Sequence, residues 1–166
     1  MGKNVTKPEV SIIKKNRDLE TALRVIGRRN TKYDPDNIVL DLRSSDLSFT
    51  TLDNSNYNFR NAFFAKSKLV GIRWGNVNLA KAILVYSNLA SASFYECVFT
   101  EINLENANLN GIDLKEINLK CVNLKGVNLK LCFNLTQQQI ESAIGDETTI
   151  LPEHLEMPEN WKKGNQ

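Results

Sequence analysis

Few side chains in this sequence are of the types that perform catalysis or bind metals. The 166 residues contain one histidine, His154, which lies between Glu153 and Leu155. A metal site needs several convergent ligands, so a single histidine beside one carboxylate favours an ordinary surface position. This histidine also lies far from the central part of the chain, and no Ser/His/Asp or Cys/His nucleophile set can be assembled around it.

Two glutamates, Glu96 and Glu101, are five residues apart, a pair that invites comparison with catalytic carboxylates. The repeat described below places both at outward turn positions, where solvated side chains are expected. Neither a G-x-G-x-x-G segment nor P-loop spacing is present. The three cysteines, Cys97, Cys121 and Cys132, lack C-x-x-C spacing and predict free thiols in a reducing compartment. The sequence therefore predicts no enzyme, no cofactor and no metal site.

The dominant feature of the sequence is a five-residue repeat that runs fifteen times from Tyr57 to Leu131. A period of five matches neither an α-helix nor a plain strand, so it calls for its own architecture. Each repeat is centred on a large apolar residue, and we expect these residues to form the structural core: Phe59, Phe64, Leu69, Trp74, Leu79, Leu84, Leu89, Phe94, Phe99, Leu104, Leu109, Leu114, Leu119, Leu124 and Leu129.

A second small or apolar position recurs two residues before each centre, as at Ala62 and Ile72. Because side chains alternate along a strand, two inward residues around one outward residue predict a very short β segment. The residues after the centre are mostly Lys, Glu, Asn, Gly and Ser, which suits a turn. Asparagine recurs just before the centre, as at Asn88 and Asn108, and is expected to bond to the backbone and stack between coils.

The segment from Glu105 to Leu114, ENANLNGIDL, resembles the A(D/N)LXX pattern of the pentapeptide repeat family, which is predominantly bacterial. The resemblance implies an all-β fold, a right-handed quadrilateral β-helix with four repeats, or about twenty residues, in each turn. Coils about 4.8 Å apart would then form a short rod of roughly four to five turns. The implied solenoid has short α-helical caps at its N-terminal and C-terminal ends.

The sequence divides into three parts: 1–38 as an N-terminal tail and capping helix, 39–135 as the repeat β-helix, and 136–166 as a C-terminal helix and lid. Open ends of a β-helix invite aggregation, so covers are expected. A helix is predicted over residues 16–29, with Leu19, Leu23 and Ile26 on one face.

After the repeats, residues 136–139 have the form of a helix capping box, and Gly145 is the expected helix stop. Ile140, Ala143 and Ile144 are expected to pack on the last coil. At the other end the repeat centres run 42, 47 and 52 and then resume at 59. A two-residue slip keeps the same side chains inward, so we predict a bulge or distorted corner near Asn56–Arg60.

Outward residues twenty apart are neighbours on one face of such a coil. One face is apolar in its N-terminal half, at Phe63, Ala65, Ile83, Val85 and Tyr86, and polar in its C-terminal half. An apolar group of this size usually marks an interface, so these residues are a candidate surface for an unknown protein partner or for a homodimer. In the alternative, the N-terminal helix covers Phe63 and Ile83.

The charge is +2 overall and unevenly spread: residues 1–42 carry 9 − 6 = +3, residues 43–135 carry 10 − 7 = +3, and residues 136–166 carry 2 − 6 = −4. Such values predict neither nucleic-acid binding nor a strongly acidic surface. Lys115, Lys120, Lys125 and Lys130 form a solvated girdle, and Glu105 is expected to meet Lys125 from one coil away. No apolar run reaches the roughly 18 residues of a membrane span, and no secretory signal is recognisable, which predicts a cytoplasmic protein.

The sequence thus predicts a non-enzymatic structural or interaction protein, a rigid scaffold for protein binding or self-association. The resemblance adds an alternative, because some pentapeptide repeat proteins inhibit or protect a DNA topoisomerase such as gyrase by mimicking duplex DNA. Duplex DNA carries one charge per about 1.7 Å, so mimicry needs a long negative surface. The net +3 of the repeats disfavours that alternative. Direct nucleic-acid binding lacks basic and aromatic residues interleaved on one face.

Overall fold

The computed structural model describes residues 7–28, 39–53 and 55–163, with the side chains of the first segment described from residue 17 onward. Within these residues there are two α-helices, α1 over Lys7–Gly27 and α2 over Gln137–Ser142, and a 3-10 turn spans Glu159–Trp161. The described residues between the helices contain five short strands: β1 Thr51–Leu52, β2 Tyr57–Asn58, β3 Arg73–Gly75, β4 Val77–Asn78 and β5 Ser93–Tyr95. Neither helix is apolar enough, over the described residues, to cross a membrane.

The strands pair in parallel, β1 with β3 with β5 and β2 with β4. Single-residue bridges, such as Phe63 with Ile83 and Ile83 with Asn103, extend the same kind of pairing along the chain. These partners are twenty residues apart, so the chain returns over itself once every four repeats. The predicted stacking of short parallel segments is confirmed.

Four ladders of outward residues run along the stack, and we number them as faces in chain order. Their members are, on face one, Asp41, Phe63, Ile83, Asn103, Asn123 and Ile144; on face two, Asp46, Lys68, Asn88, Asn108, Asn128 and Ile150; on face three, Thr51, Arg73, Ser93, Asp113 and Phe133; and on face four, Asn58, Asn78, Val98 and Asn118. Coils one to five begin at the face-one residues from Asp41 to Asn123, and residues 144–150 add half a sixth coil.

The coils are not equally well joined. Coils one, two and three are bridged to one another on all four faces. Between coils three and four, bridges join faces one and two, while in this described region Ser93 is not bridged to Asp113 on face three and Val98 is not bridged to Asn118 on face four. At this step two aromatic centres, Phe94 and Phe99, stand in succession with ring centroids 4.8 Å apart. Coils four and five are likewise bridged on two faces, one and three, and Asn108 is not bridged to Asn128 on face two.

The inward side chains form one continuous core. Fourteen of the fifteen predicted central residues are buried, and Phe94 is half-buried. The N-terminal part of the core contains an aromatic group in which Trp74 lies 5.6 Å from Phe59 and 5.9 Å from Phe64, measured between ring centroids. The indole nitrogen of Trp74 donates a hydrogen bond to the buried Thr50 hydroxyl at 3.3 Å.

The asparagine side chains have the structural role that the sequence predicts. Each accepts a hydrogen bond from the backbone N–H two residues later, as Asn88 does from Ala90 at 3.1 Å. Between coils, the Asn108 amide donates to Asn88 and the Asn123 amide donates to Asn103, both at 3.1 Å. These bonds satisfy the amide at a place where a strand would otherwise disfavour asparagine.

The predicted two-residue slip is present but lies slightly earlier in the chain. Leu52 pairs with Trp74, an offset of 22, whereas Tyr57 pairs with Val77, an offset of 20. The two extra residues therefore fall between Leu52 and Tyr57, so the change of register comes before Tyr57 and does not extend over Asn56–Arg60. Regular pairing has already resumed at Phe59, whose N–H donates to the Asn78 carbonyl at 2.8 Å.

Helix α1 covers the open edge of coil one. The Glu20 carboxylate accepts the Thr51 N–H at 2.7 Å, and the Arg24 guanidinium donates to the Thr51 carbonyl at 3.0 Å. Leu23 is buried in the core. The helix begins at Lys7, earlier than the predicted residue 16, because Pro8 in its first turn is compatible with helical geometry.

Helix α2 covers part of the other end. Its predicted capping box is confirmed: the Thr136 hydroxyl accepts from the Gln139 N–H, and the Gln139 side chain accepts from the Thr136 N–H. The Gln139 amide also donates to the carbonyls of Leu114 (2.7 Å) and Ile117 (2.9 Å). Coil five has no face-four segment, because residues 137–142 are helical there. The Gln139 side chain supplies hydrogen-bond donors to coil four in its place.

Two expectations at this end are wrong. Ile140 and Ala143 are buried as predicted, but Ile144 is exposed because it continues the face-one ladder, whose residues point outward. Gly145 does not end α2, whose last residue is Ser142. Gly145 instead lies beneath Trp161, and an added Cβ there would come 2.5 Å from the indole ring.

Candidate protein-binding surface

The residues that resemble catalytic groups are dispersed over the surface. Glu96 and Glu101 are both exposed, and Glu101 forms an ion pair with Lys81 across one coil step at 3.3 Å. His154 is exposed, with its Nε2 3.5 Å from the Leu135 carbonyl. Among residues 7–28, 39–53 and 55–163, no three His, Cys, Asp or Glu side chains are close enough to hold a metal ion.

The cysteines are free thiols, as predicted, and two of them serve the core. Cys97 donates to the Trp74 carbonyl at 3.2 Å and Cys132 to the Leu109 carbonyl at 3.3 Å. Burial raises the pKa of the Cys97 thiol, and it raises the pKa of Cys132 to about 11. Both thiols are therefore protonated at neutral pH, which suits packing and not nucleophilic attack.

The candidate interface residues lie together on face one, in coils two and three. Phe63 and Ile83 are bridged to each other, and the Lys66 N–H donates to the Val85 carbonyl at 2.9 Å. Four of the five residues are half-buried, and Tyr86 is 59% exposed. We call Phe63, Ala65, Ile83, Val85 and Tyr86 the face-one patch.

The face-one patch is partly shielded, but not by the described part of α1. The described side chains of α1, and Arg28 just after it, bond to residues 51, 53, 55 and 57, at the end of the stack. Phe63 instead lies under the Arg43 guanidinium, whose carbon is 5.8 Å from the ring centroid. Arg43 also pairs with Asp41 at 2.6 Å, and this hydrogen bond lowers the pKa of the Asp41 carboxyl to about 2.

A second apolar surface was not predicted from the sequence. Leu131 and Phe133 are each 60% exposed. They border a groove of about 520 Å³ at the corner between faces two and three. We call it the corner groove; it is lined by Ala90, Ser91, Asn110, Gly111, Lys130, Leu131, Cys132 and Phe133. The signal in the sequence was the occurrence of two large apolar residues at successive outward positions around inward Cys132.

A smaller, polar depression of about 240 Å³ lies at the corner between faces three and four. Four asparagines, Asn56, Asn58, Asn76 and Asn78, line it together with Glu96 and three apolar residues. Asn58 and Asn78 belong to the face-four row and bond to the backbone, as the Asn78 carboxamide does with the Ala80 N–H at 3.0 Å. Asn56 and Asn76 lie at the preceding corner, in left-handed backbone conformations with φ 45° and 56°.

The lysine girdle is present, but the predicted ion pair is not. Lys115, Lys120 and Lys130 are exposed and Lys125 is half-buried. Glu105 accepts a hydrogen bond from the Asn123 amide at 3.4 Å and does not pair with Lys125. The Asn123 amide, two residues before Lys125, is the donor that Glu105 meets from the next coil.

A stack of short parallel strands that returns on itself every twenty residues defines a solenoid repeat protein. The pentapeptide repeat family model matches this chain with eight copies, over residues 58–95, 73–108 and 97–133. The repeat region therefore belongs to the pentapeptide repeat family. No curated protein sequence is significantly similar to this chain.

Several solved structures are similar to this one. HetL from Nostoc sp. strain PCC 7120, a pentapeptide repeat protein involved in heterocyst differentiation regulation, is 22% identical over 76% of this chain and 55% of its own, with a TM-score of 0.48. The chain thus spans about half the length of HetL. Rfr23 from Cyanothece 51142 is 22% identical over 68% of this chain and 84% of its own, with a TM-score of 0.34. QnrB1, a plasmid-mediated fluoroquinolone resistance protein, is 14% identical over 66% and 82%, with a TM-score of 0.29.

Proposed function

We propose that this protein is a non-enzymatic scaffold, a right-handed four-sided β-helix whose outer surface binds another protein. The observation that carries the proposal is the face-one patch, five apolar residues that adjoin one another on two coils with Tyr86 59% exposed. Contiguous apolar surface of this kind is uncommon on proteins without a binding partner.

The backbone under the patch is held in place before any partner arrives. The Tyr86 N–H donates to the Glu105 carbonyl at 3.0 Å, and the Ile83 N–H donates to the Ala62 carbonyl at 2.9 Å. A rigid aromatic anchor loses little conformational entropy on binding, because only two side-chain torsions need to be fixed. Tyr86 also presents a hydroxyl that can bond to a partner at the rim of the contact.

The proposal is tested by capture of binding proteins on four immobilised forms: the parent, Ile83→Glu, Tyr86→Ser and the control Tyr95→Ser, which alters an equally exposed tyrosine on face three. We expect a partner to be retained by the parent and the control and lost by both face-one variants. The purified partner should then bind the parent in calorimetry at least about tenfold more tightly than Ile83→Glu. Retention of the same proteins by all four forms would overturn the proposal.

The DNA-mimic alternative finds little support in the charges. QnrB1 is a fluoroquinolone resistance protein, but this chain carries a net +3 over residues 43–135. Acidic side chains of the repeats are in part neutralised by neighbours, as Glu101 is by Lys81 at 3.3 Å. We therefore expect gyrase supercoiling to be unchanged by a molar excess of this protein; inhibition would favour the alternative.

A further inference from the structure

The floor of the corner groove is made of small residues. One residue per coil lies at this corner, and along the stack the series is Phe49, Gly71, Ser91, Gly111 and Leu131. Backbone hydrogen bonds hold these coils in contact: the Ser91 N–H donates to the Asn110 carbonyl at 2.8 Å, and the Gly111 N–H to the Leu131 carbonyl at 3.0 Å. Gly111 has φ +77°, and a Cβ there would lie 3.3 Å from the Ser91 hydroxyl. At Gly71 the Phe49 ring covers this corner, since a Cβ there would lie 2.9 Å from its ring carbons, so the shallow channel is left at Ser91 and Gly111.

The C-terminal border of the same groove is a ridge. Leu131 and Phe133 project from coil five, each 60% exposed, while Cys132 between them is buried. Lys130 is the one charged residue in the groove lining. An apolar partner can therefore cover this surface without burying an unpaired carboxylate in the groove itself.

The ridge and the channel are related in a way that suits a second copy of the chain. Leu131 lies one coil beyond Gly111, and Ser91 lies one coil before it. A twofold axis at the level of Gly111, with the second copy antiparallel, therefore seats Leu131 of each copy over Ser91 of the other. The same operation brings each Phe133 over Ser93 of the other copy, because an in-plane twofold axis keeps face two against face two and face three against face three.

We propose that the corner groove is a self-association surface, occupied by the ridge of a second copy in this antiparallel register. Other registers fit less well. An axis at Ser91 would set Phe49 of each copy against Leu131 of the other, so that two large projecting side chains meet at both ends of the contact and neither is seated over a small residue.

The area involved sets the expected strength. The contact extends over three coils, or about 15 Å along the stack. A contact this short buries an area well below the roughly 800 Å² per partner of a standard stable interface. The dimer is therefore weak, with a dissociation constant in the micromolar range or above, roughly 1–100 µM.

The first experiment is sedimentation equilibrium of the purified full chain over roughly three decades of concentration that span this range. The parent should move from monomer to dimer. Leu131→Glu, which places a charge in the channel, should raise the dissociation constant at least about tenfold. Phe49→Glu is the matched control, since Phe49 is 63% exposed at the other end of the same corner and should leave the dimer unchanged. Circular dichroism and thermal unfolding establish that each variant is folded.

The second experiment fixes the register by disulfide crosslinking in a Cys121→Ser background, which removes the exposed native thiol. Asn110→Cys, beside the axis, should crosslink to itself. Ser91→Cys mixed with Leu131→Cys should give a mixed dimer, while Ser91→Cys alone should not crosslink. A parent that stays monomeric, a dimer untouched by Leu131→Glu, or self-crosslinking of Ser91→Cys in place of Asn110→Cys would overturn the proposal. This dimer proposal rests on the proposed scaffold role only in part. Ile83→Glu should abolish capture of the protein partner and leave the dimer intact, so the dimer and the scaffold role can fail separately.

Discussion

The contribution of helix α1 to stability can be measured with one substitution, Leu23→Ala. Leu23 is 2% exposed, and it joins the hydrophobic core at the open end of coil one. Removing three buried carbons from such a site costs about 2–5 kcal/mol, while the change to alanine returns only about 0.2 kcal/mol of helix propensity. At the end of the stack the helix can settle toward coil one, so we expect a loss of about 2–3 kcal/mol in the free energy of unfolding.

Val25→Ala is the matched control, because Val25 lies on the same helix and is 69% exposed. Replacing an exposed β-branched residue by alanine should change stability by at most about 0.6 kcal/mol, in the favourable direction. Urea unfolding followed by circular dichroism gives both values, with the slope m showing whether α1 still unfolds together with the coils. If Leu23→Ala and Val25→Ala differ by less than about 0.5 kcal/mol, α1 does not support the core and the reasoning fails.

Three further measurements address other parts of the fold. The Leu89 N–H donates to the Asn108 carbonyl at 2.9 Å, whereas the Phe94 N–H has no partner in coil four. Amide hydrogen exchange should therefore be at least about a hundredfold slower at Leu89 than at Phe94. Equal protection of the two amides would contradict the missing face-three bridge between coils three and four. Gly145→Ala should lower the free energy of unfolding in urea by about 1–3 kcal/mol, because its Cβ would come 2.5 Å from the Trp161 indole ring. Gly75→Ala, where the nearest atom would be 3.7 Å away, should lower it by about 1 kcal/mol or less. Similar losses for the two variants would refute the tight contact at Gly145. Burial raises the pKa of Cys132 to about 11 from 9.0, so above pH 9 the unfolded chain loses a proton that the folded chain keeps. The free energy of unfolding should therefore fall by up to about 1.4 kcal/mol per pH unit between about pH 9 and 11. Cys132→Val should make this fall shallower, and an unchanged slope would refute the role of the buried thiol.

The periodicity of the sequence predicted the inward half of the fold well. A five-residue spacing of large apolar side chains allows few backbone paths, so the identity of the core residues followed from composition and spacing alone. The role of the asparagines was equally accessible, because a short amide beside a strand centre has few partners other than the adjacent backbone. Leu69 and Asn108 illustrate the two rows, one buried and one hydrogen-bonded between coils.

Features that depend on side-chain volume or on departures from the repeat could not be predicted from the sequence. Phe94 matches the repeat as well as any centre, yet it is half-buried because Phe99 follows it on the next face. Ile144 was expected to pack inward on the last coil, whereas residues 137–142 form a helix that returns the chain to the face-one ladder with an offset of 21. The corner groove could not be predicted from a single repeat, because it forms between residues twenty and forty positions apart, namely Ser91, Gly111 and Leu131.

The corners hold another feature that composition concealed. Lys66, Lys81, Tyr86 and Glu101 all adopt left-handed backbone conformations, with φ between 58° and 60°. A non-glycine residue in this region carries a cost of roughly 1 kcal/mol, and side chains such as lysine and glutamate give no sign of it. The repeat imposes the conformation, because each corner must turn the chain within two residues between fixed strands.

The uneven bridging of the coils has a consequence for how the protein unfolds. In a solenoid, stability is approximately a sum of the terms within each repeat and the terms between neighbours. Coils one to three are coupled on every face, but coil four is bridged to coil three on faces one and two and to coil five on faces one and three. The interface terms are therefore smaller on both sides of coil four than among coils one to three. Heat or force would release coils one to three, with the α1 cap, as one cooperative block, and a rod that is uniform in sequence would separate next to coil four.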